Sequence, residues 1–245
     1  MIVFGAIGAA VAVPPLLRWR KRSLTFEPIA GLPGFRRLPS GTVSGGDFIL
    51  TGLQPASAQQ SRLRDGVVAN PCLAAFGRTD WPAGRTPVAV FTDYNCPYCP
   101  VLSGMVIDLL HRGAPIDVTW HDLPVLGPRS EDAARAAIAA ARQGQYLPVH
   151  QHLMRGVLRP GPAALTGLAE SFGLDPQRFL HDAQSVETAH RIEQARAVAA
   201  VFGIAGTPAI LVGRSLSIGR IEPDRLDRLI ALEAQASGAV CAPGG

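Results

Sequence analysis

Two cysteines, Cys96 and Cys99, stand two residues apart in Asn95-Cys96-Pro97-Tyr98-Cys99-Pro100. Thiol–disulfide exchange needs a thiolate that attacks and a nearby thiol that resolves the mixed disulfide. A Cys-x-x-Cys at a helix start supplies both. Two intervening residues leave the sulfurs within bonding reach, and the helix N-terminus offers unpaired N–H groups and the positive end of its dipole. Cys96 is therefore the expected nucleophile, with a pKa below the free-thiol value of about 8.5. Cys99, one turn inside, is the expected buried resolving thiol. Pro97 pre-sets the first helical turn and Pro100 still falls near it, so both put the helix start at the motif. From four residues alone a metal-binding or incidental pair stays open; the strand before the motif and the helix after it favour redox chemistry.

Gly206-Thr207-Pro208 is the second feature, directly before an apolar stretch. Proline at a strand entry is allowed but loses a ladder donor. A trans bond is the base-rate expectation; beside a dithiol, a cis Thr207–Pro208 bond is the better reading, turning the backbone towards the motif. Thr207 would then offer its backbone to an extended substrate segment.

The elements that must position these residues are set by the apolar pattern. Pro87–Thr92 reads as a buried parallel strand, Asp93-Tyr94-Asn95 as a turn, Cys96–Leu110 as a helix closed by Gly113, and Ile116–Trp120 as a second strand. Glu131–Arg142, with Ser130 as N-cap, then Gln145–Met154, Pro162–Phe172, Pro176–Ala183 and Val186–Phe202 read as consecutive helices. Ala209–Val212 and Leu216–Ile218 form a hairpin, and Pro223–Ala236 a closing helix. Residues 23–84 are rich in Pro, Gly and Ser and read as an extended lead-in, with Phe48-Ile49-Leu50 as a candidate strand. This order describes one α/β sheet with a helical insertion.

The 245-residue chain is 47% apolar with a net charge of +4, which suits a sizeable core and gives no basic run for nucleic acid. No metal site is expected, since His150 and His152, the only close histidines, point to different faces of a helix. Cys72 and Cys241 flank most of the globular region. They form a structural disulfide, remain two thiols, or engage another molecule; an oxidising compartment allows the first. His121, His150 and His152 are expected to be packing or surface residues, Tyr94 and Trp120 to pack near the helix that carries the motif, and Asp122 to make a surface or loop hydrogen bond. Residues 1–22 hold an apolar run, Ile2–Leu17, followed by Arg18, Arg20, Lys21 and Arg22. They are expected to be an export signal or membrane anchor.

The chain resembles the DsbA-like thiol–disulfide oxidoreductases of bacteria. The resemblance is carried by Val88–Asp93 with the CPYC motif, Leu123-Pro124-Val125-Leu126-Gly127, Ala133–Ala137, Gln143–Tyr146 and Gly203–Ala209. It implies a thioredoxin fold in residues 85–125 and 203–236, an all-helical insertion in 126–202 before the cis-proline hairpin, and a tail in 237–245. It implies redox chemistry at Cys96 and Cys99, with Pro97, Tyr98, Thr207 and Pro208 contacting substrate and no cofactor. It further implies cysteine-containing protein substrates and a membrane or soluble redox partner. The expected place of work is the periplasm, with anchoring to the inner membrane through the N-terminus. An isomerase or reductase on the same scaffold, or a non-catalytic chaperone-like module, are the alternatives. Two positions depart from the family. Tyr98 replaces the histidine of its best-known oxidant, which implies a less acidic Cys96 and a less oxidising disulfide. Val90 stands where relatives often carry a buried acid.

Overall fold

Thr86–Thr92 is buried at all seven positions, and the sheet is built outward from this strand. The computed structural model describes residues 24–45, 57–82, 84–159 and 161–236. The elements are β1 (Glu27–Pro28), β2 (Arg36–Arg37), α1 (Ala58–Ala69), α2 (Pro71–Phe76), β3 (Thr86–Thr92), α3 (Cys99–His111) and β4 (Ile116–Asp122). They continue as α4 (Pro128–Ala141), α5 (Tyr146–Arg155), α6 (Pro162–Ser171), α7 (Pro176–Gln184), α8 (Val186–Phe202), β5 (Ala209–Val212), β6 (Ser215–Ile218) and α9 (Pro223–Ala236).

The sheet order is β1-β2-β6-β5-β3-β4. β3 pairs parallel with β4, Val88 opposite Val118, and antiparallel with β5, Val90 opposite Ile210. Side chains alternate across a strand, so each strand feeds two cores. Val88, Val90, Ile210 and Val212 pack with Leu102 and Val106 of α3 and Leu226 and Leu229 of α9. Ala89, Phe91, Ala209 and Leu211 pack with Val198 and Phe202 of α8 and Phe76 of α2. A third cluster joins Ala133 and Ala137 of α4, Val149 and Leu153 of α5, Leu168 of α6 and Phe179 of α7 to Tyr94, Cys96 and Cys99. The helical insertion is thus the wall against which the dithiol is buried.

Helix signals account for the ends of α8. The Ser185 hydroxyl caps the Thr188 N–H, and Gly203, at φ +70°, closes the helix in the left-handed conformation. Three expectations are corrected. Residues 23–84 are not simply extended: two short strands and the helices α1 and α2 form there, α1 opened by a Ser57–Gln60 capping box. Ser130 lies inside the first turn of α4, which begins at Pro128 after Gly127. Cys99 is the first residue of α3 and Cys96 precedes it in a turn, so Cys99 is not a full turn inside the helix. Phe48–Leu50, residues 1–22 and residues 237–245 lie outside the described residues.

One buried carboxylate ties the early strands to the closing helix. Glu233 of α9 accepts hydrogen bonds from Arg36 Nη2 (2.8 Å), Ser215 Oγ (2.6 Å) and the Arg214 N–H (3.1 Å). Removing it leaves buried donors without an acceptor. Glu233→Ala is expected to lower stability by about 2–3 kcal/mol in urea titration, more than a surface substitution.

Candidate active site

The chain leaves β3 at Thr92, and Asp93 holds the dithiol turn in place. Its Oδ1 accepts from the Asn95 N–H (2.8 Å) and the Ser130 hydroxyl (2.7 Å). Its Oδ2 accepts from the N–H groups of Val125 (2.7 Å) and Leu126 (3.0 Å). One buried carboxylate therefore binds the dithiol turn to the loop after β4 and to the first turn of α4. The turn closes through Cys96 N–H to Asp93 O (3.1 Å) and Cys99 N–H to Cys96 O (3.2 Å).

Both thiols are free and both are buried, Cys96 at 1% and Cys99 at 0% exposure. The Thr207–Pro208 bond is cis, as the sequence implied, and brings Thr207 against the pair. The Cys96 thiol donates to Thr207 O at 3.4 Å, and the Asp93 N–H donates to Cys99 Sγ at 3.5 Å. The Cys96 thiol is pulled down to about 6, first by the hydrogen bond from Cys99; burial opposes, and Thr207, the Tyr98 backbone and Ser44 add to the lowering. Burial pushes the Cys99 thiol far up, and its proximity to Cys96 pushes it further. The Thr207 hydroxyl, buried without a hydrogen-bonded partner among the described residues, lies beside both sulfurs and favours their thiolate forms. The two thiols are thus unequal: the thiolate is favoured at Cys96, and Cys99 is held protonated.

Of the expected substrate contacts, Thr207 and Pro208 are buried, Thr207 against the dithiol, Tyr98 is half-buried and Pro97 is exposed. Cys72 is buried in α2; its expected partner, Cys241, lies outside the described residues.

Sequence reading missed Ser44, the scaffold role of Asp93 and a polar network. Asp122 is buried, not at the surface. It accepts from the hydroxyls of Tyr94 (2.7 Å) and Tyr146 (2.9 Å). With its hydroxyl hydrogen given to Asp122, Tyr94 accepts from His150 Nδ1 (2.9 Å), so His150 Nε2 accepts from the Ser103 hydroxyl (3.1 Å). Burial lifts Asp122 to about 6, against the two tyrosine hydroxyls and Arg191, and lowers His150 to about 4. No local pattern signals this network, since its members come from the β3–α3 turn, α3, β4 and α5. His121 stacks on Phe91 at 4.5 Å and bonds Ala75 O, a packing role as expected. A cavity of about 430 Å³ between α1, α2, α8 and β4 is lined by Asp122 and Trp120 but by none of the CPYC residues, so it is not where the sulfur chemistry sits.

The sequence profile of the DSBA-like thioredoxin domain matches residues 87–231, more than half the chain. The chain belongs to this family. A thioredoxin-like oxidoreductase from Silicibacter pomeroyi DSS-3 superposes with a TM-score of 0.60 at 30% identity, over 66% of this chain and 97% of that one. The thiol-disulfide exchange protein alpha-DsbA2 from Wolbachia pipientis superposes with a TM-score of 0.60 at 19% identity, over 73% of this chain and all of that one, and shares the fold. Among curated proteins, the segment is 31% identical over 165 residues to Na(+)/H(+) antiporter NhaA 3 of Salinispora tropica, covering 66% of this chain. It is 36% identical over 134 residues to Na(+)/H(+) antiporter NhaA 1 of Salinispora arenicola, covering 52% of this chain. The matches cover 25% and 20% of those two antiporters, so the chain spans about a quarter of their length or less. The DsbA-like family assignment and the thioredoxin-like α/β fold with helices beside the sheet agree with the resemblance read from the sequence.

The shifted groups predict two titrations. Alkylation of Cys96 by iodoacetamide is expected to titrate with a midpoint near 6, and Cys99→Ala, which removes the main hydrogen bond to the thiolate, to move that midpoint up. For Asp122, a carboxyl raised in the folded state contributes stability at low pH that is lost as pH rises through about 6. His121 and His150, both lowered to about 4, act in the opposite sense, their contribution being lost as pH falls below about 6.5. The Asp122 effect is therefore read as a difference: between pH 4 and 7 the wild type is expected to lose stability relative to Asp122→Asn.

Proposed function

We propose that the protein is a thiol–disulfide oxidoreductase that forms or exchanges disulfides in exported, cysteine-containing proteins. The observation that carries this reading is the unequal pair. A Cys96 thiolate is supported by hydrogen bonds from its neighbours, and beside it Cys99 is held protonated. In the oxidising direction a substrate thiolate attacks Cys96 Sγ of the disulfide. The Cys96–Cys99 bond breaks, and Cys99 leaves and takes a proton. A second substrate thiolate then attacks the substrate sulfur of the mixed disulfide and releases Cys96 as its thiolate. The substrate loses two electrons and the dithiol gains them. In the reverse direction Cys99 resolves the mixed disulfide. Thr207 and Pro208, with Pro97 and Tyr98, are the residues proposed to hold the substrate.

Stabilising the Cys96 thiolate stabilises the reduced protein, and so makes the disulfide a better oxidant. A pKa of about 6 lies between the values of about 7 for thioredoxin and about 3.5 for the strongest oxidant of this type. The expected reduction potential is therefore above about −270 mV and below about −120 mV. A potential at or below about −270 mV against glutathione would assign the protein to reduction instead.

Cys96→Ala is expected to abolish both insulin reduction and oxidative refolding of a reduced substrate. Unchanged activity in both would leave only a chaperone-like binding role. Periplasmic work with an inner-membrane anchor in residues 1–22 is proposed on the family resemblance, and antiporter relatives fit a chain that acts at a membrane. No described helix is long and apolar enough to cross one. A structural Cys72–Cys241 disulfide is proposed with it, to be read by non-reducing peptide mapping.

A further inference from the structure

The segment after β2 runs beside β6 and on to the dithiol. Leu38 N–H donates to Leu216 O (2.8 Å), Gly41 N–H to Ile218 O (2.7 Å), and Arg220 N–H to Thr42 O (2.9 Å). It ends on Thr207. Ser44 N–H donates to Thr207 O (2.8 Å) and Thr207 N–H to Ser44 O (2.9 Å), an isolated antiparallel bridge. The crossing is tight. A Cβ on Gly206 would come 2.6 Å from Ser44 O, and one on Gly219, at φ +89°, would come 2.5 Å from the Gly41 backbone. The Ser44 side chain is also close enough to favour the Cys96 thiolate, and Cys96 is 1% exposed.

Thr207 is the residue whose N–H and C=O would pair with an extended chain brought to Cys96, and Ser44 uses both. An incoming polypeptide remakes the two bonds it breaks, so displacement of Ser44 is close to balanced in hydrogen bonds. A small thiol or disulfide without peptide groups has no backbone to offer Thr207 and leaves the displaced groups unpaired. We propose that Val43–Gly45 occupies the substrate-strand position and acts as a competitor that admits extended polypeptide segments to Cys96 in preference to small thiols. This rests on the thiol–disulfide reading of the site and adds its selectivity.

Two variants of Ser44 separate the strap from the hydroxyl. Ser44→Ala keeps the backbone bridge and removes the oxygen beside Cys96; Ser44→Pro also removes the N–H that bonds Thr207 O. At pH 8, where the thiolate fraction no longer limits the rate, iodoacetamide is expected to alkylate Cys96 about tenfold faster in Ser44→Pro than in Ser44→Ala. Equal rates in two folded variants would overturn the proposal. If Ser44→Pro does not fold, Cys99→Ala with Ser44 intact decides, because without Cys99 a mixed disulfide on Cys96 is not resolved. With a tetrapeptide attached to Cys96 by a methanethiosulfonate reagent, amide exchange at Ser44 is expected to speed up at least tenfold while Thr207 stays protected. Retained protection at Ser44 would refute displacement. Neither readout needs catalytic turnover, so failure of the enzymatic reading would show separately, as unchanged disulfide exchange in Cys96→Ala.

Discussion

A thiolate with 1% exposure must be stabilised by the protein, because water does not reach it. That requirement organises the rest of the molecule. Cys96 lies just before α3, so the Tyr98 backbone can support its sulfur, and Cys99 begins the helix with its thiol directed at Cys96. Thr207 arrives from the far end of the chain, 111 residues away. The β3–β5 pairing brings that loop to the end of β3, and Asp93 locks the dithiol turn to the loop after β4 and to α4. Sheet register, the turn after β3 and the first turns of two helices thus converge on one sulfur.

The helical insertion supplies the low-dielectric wall. Its alanine-rich α4 contributes Ala133, Ala137 and Ala140 to the cluster that contains both cysteines. Small side chains let this helix approach closely. The same burial that raises the Cys99 thiol also raises Asp122 and lowers His150, so the histidine of the network is neutral at neutral pH. The position six residues before Cys96 is Val90, buried among apolar residues between α3 and α9, so no carboxylate stands there.

Local pattern encodes only part of this molecule, and that part is legible in the sequence. β5, α8 and α9 have the bounds expected of them, because proline, glycine and serine punctuate their ends. The CPYC motif and Gly206-Thr207-Pro208, read from residue type at short spacing, are the two segments that the fold brings together. Ser44 is invisible for the opposite reason. It acts through backbone groups that every residue carries, and it lies in a Gly- and Ser-rich stretch with no periodicity. Asp93 reads as a turn residue, but its four partners come from three separate segments, which no local window joins. The helix α1 escapes sequence reading because its apolar residues are sparse and Gly66 falls within it, and α2 because its six residues are too short to show a period.

The central claim is that Cys96 attacks and Cys99 resolves. The most direct measurement uses Cys99→Ala, in which the second step is blocked. Incubated at pH 8 with an oxidised protein substrate, it is expected to accumulate a mixed disulfide, seen by intact mass and located by peptide mapping on Cys96. A folded Cys99→Ala protein whose Cys96 remains a free thiol throughout would contradict the account.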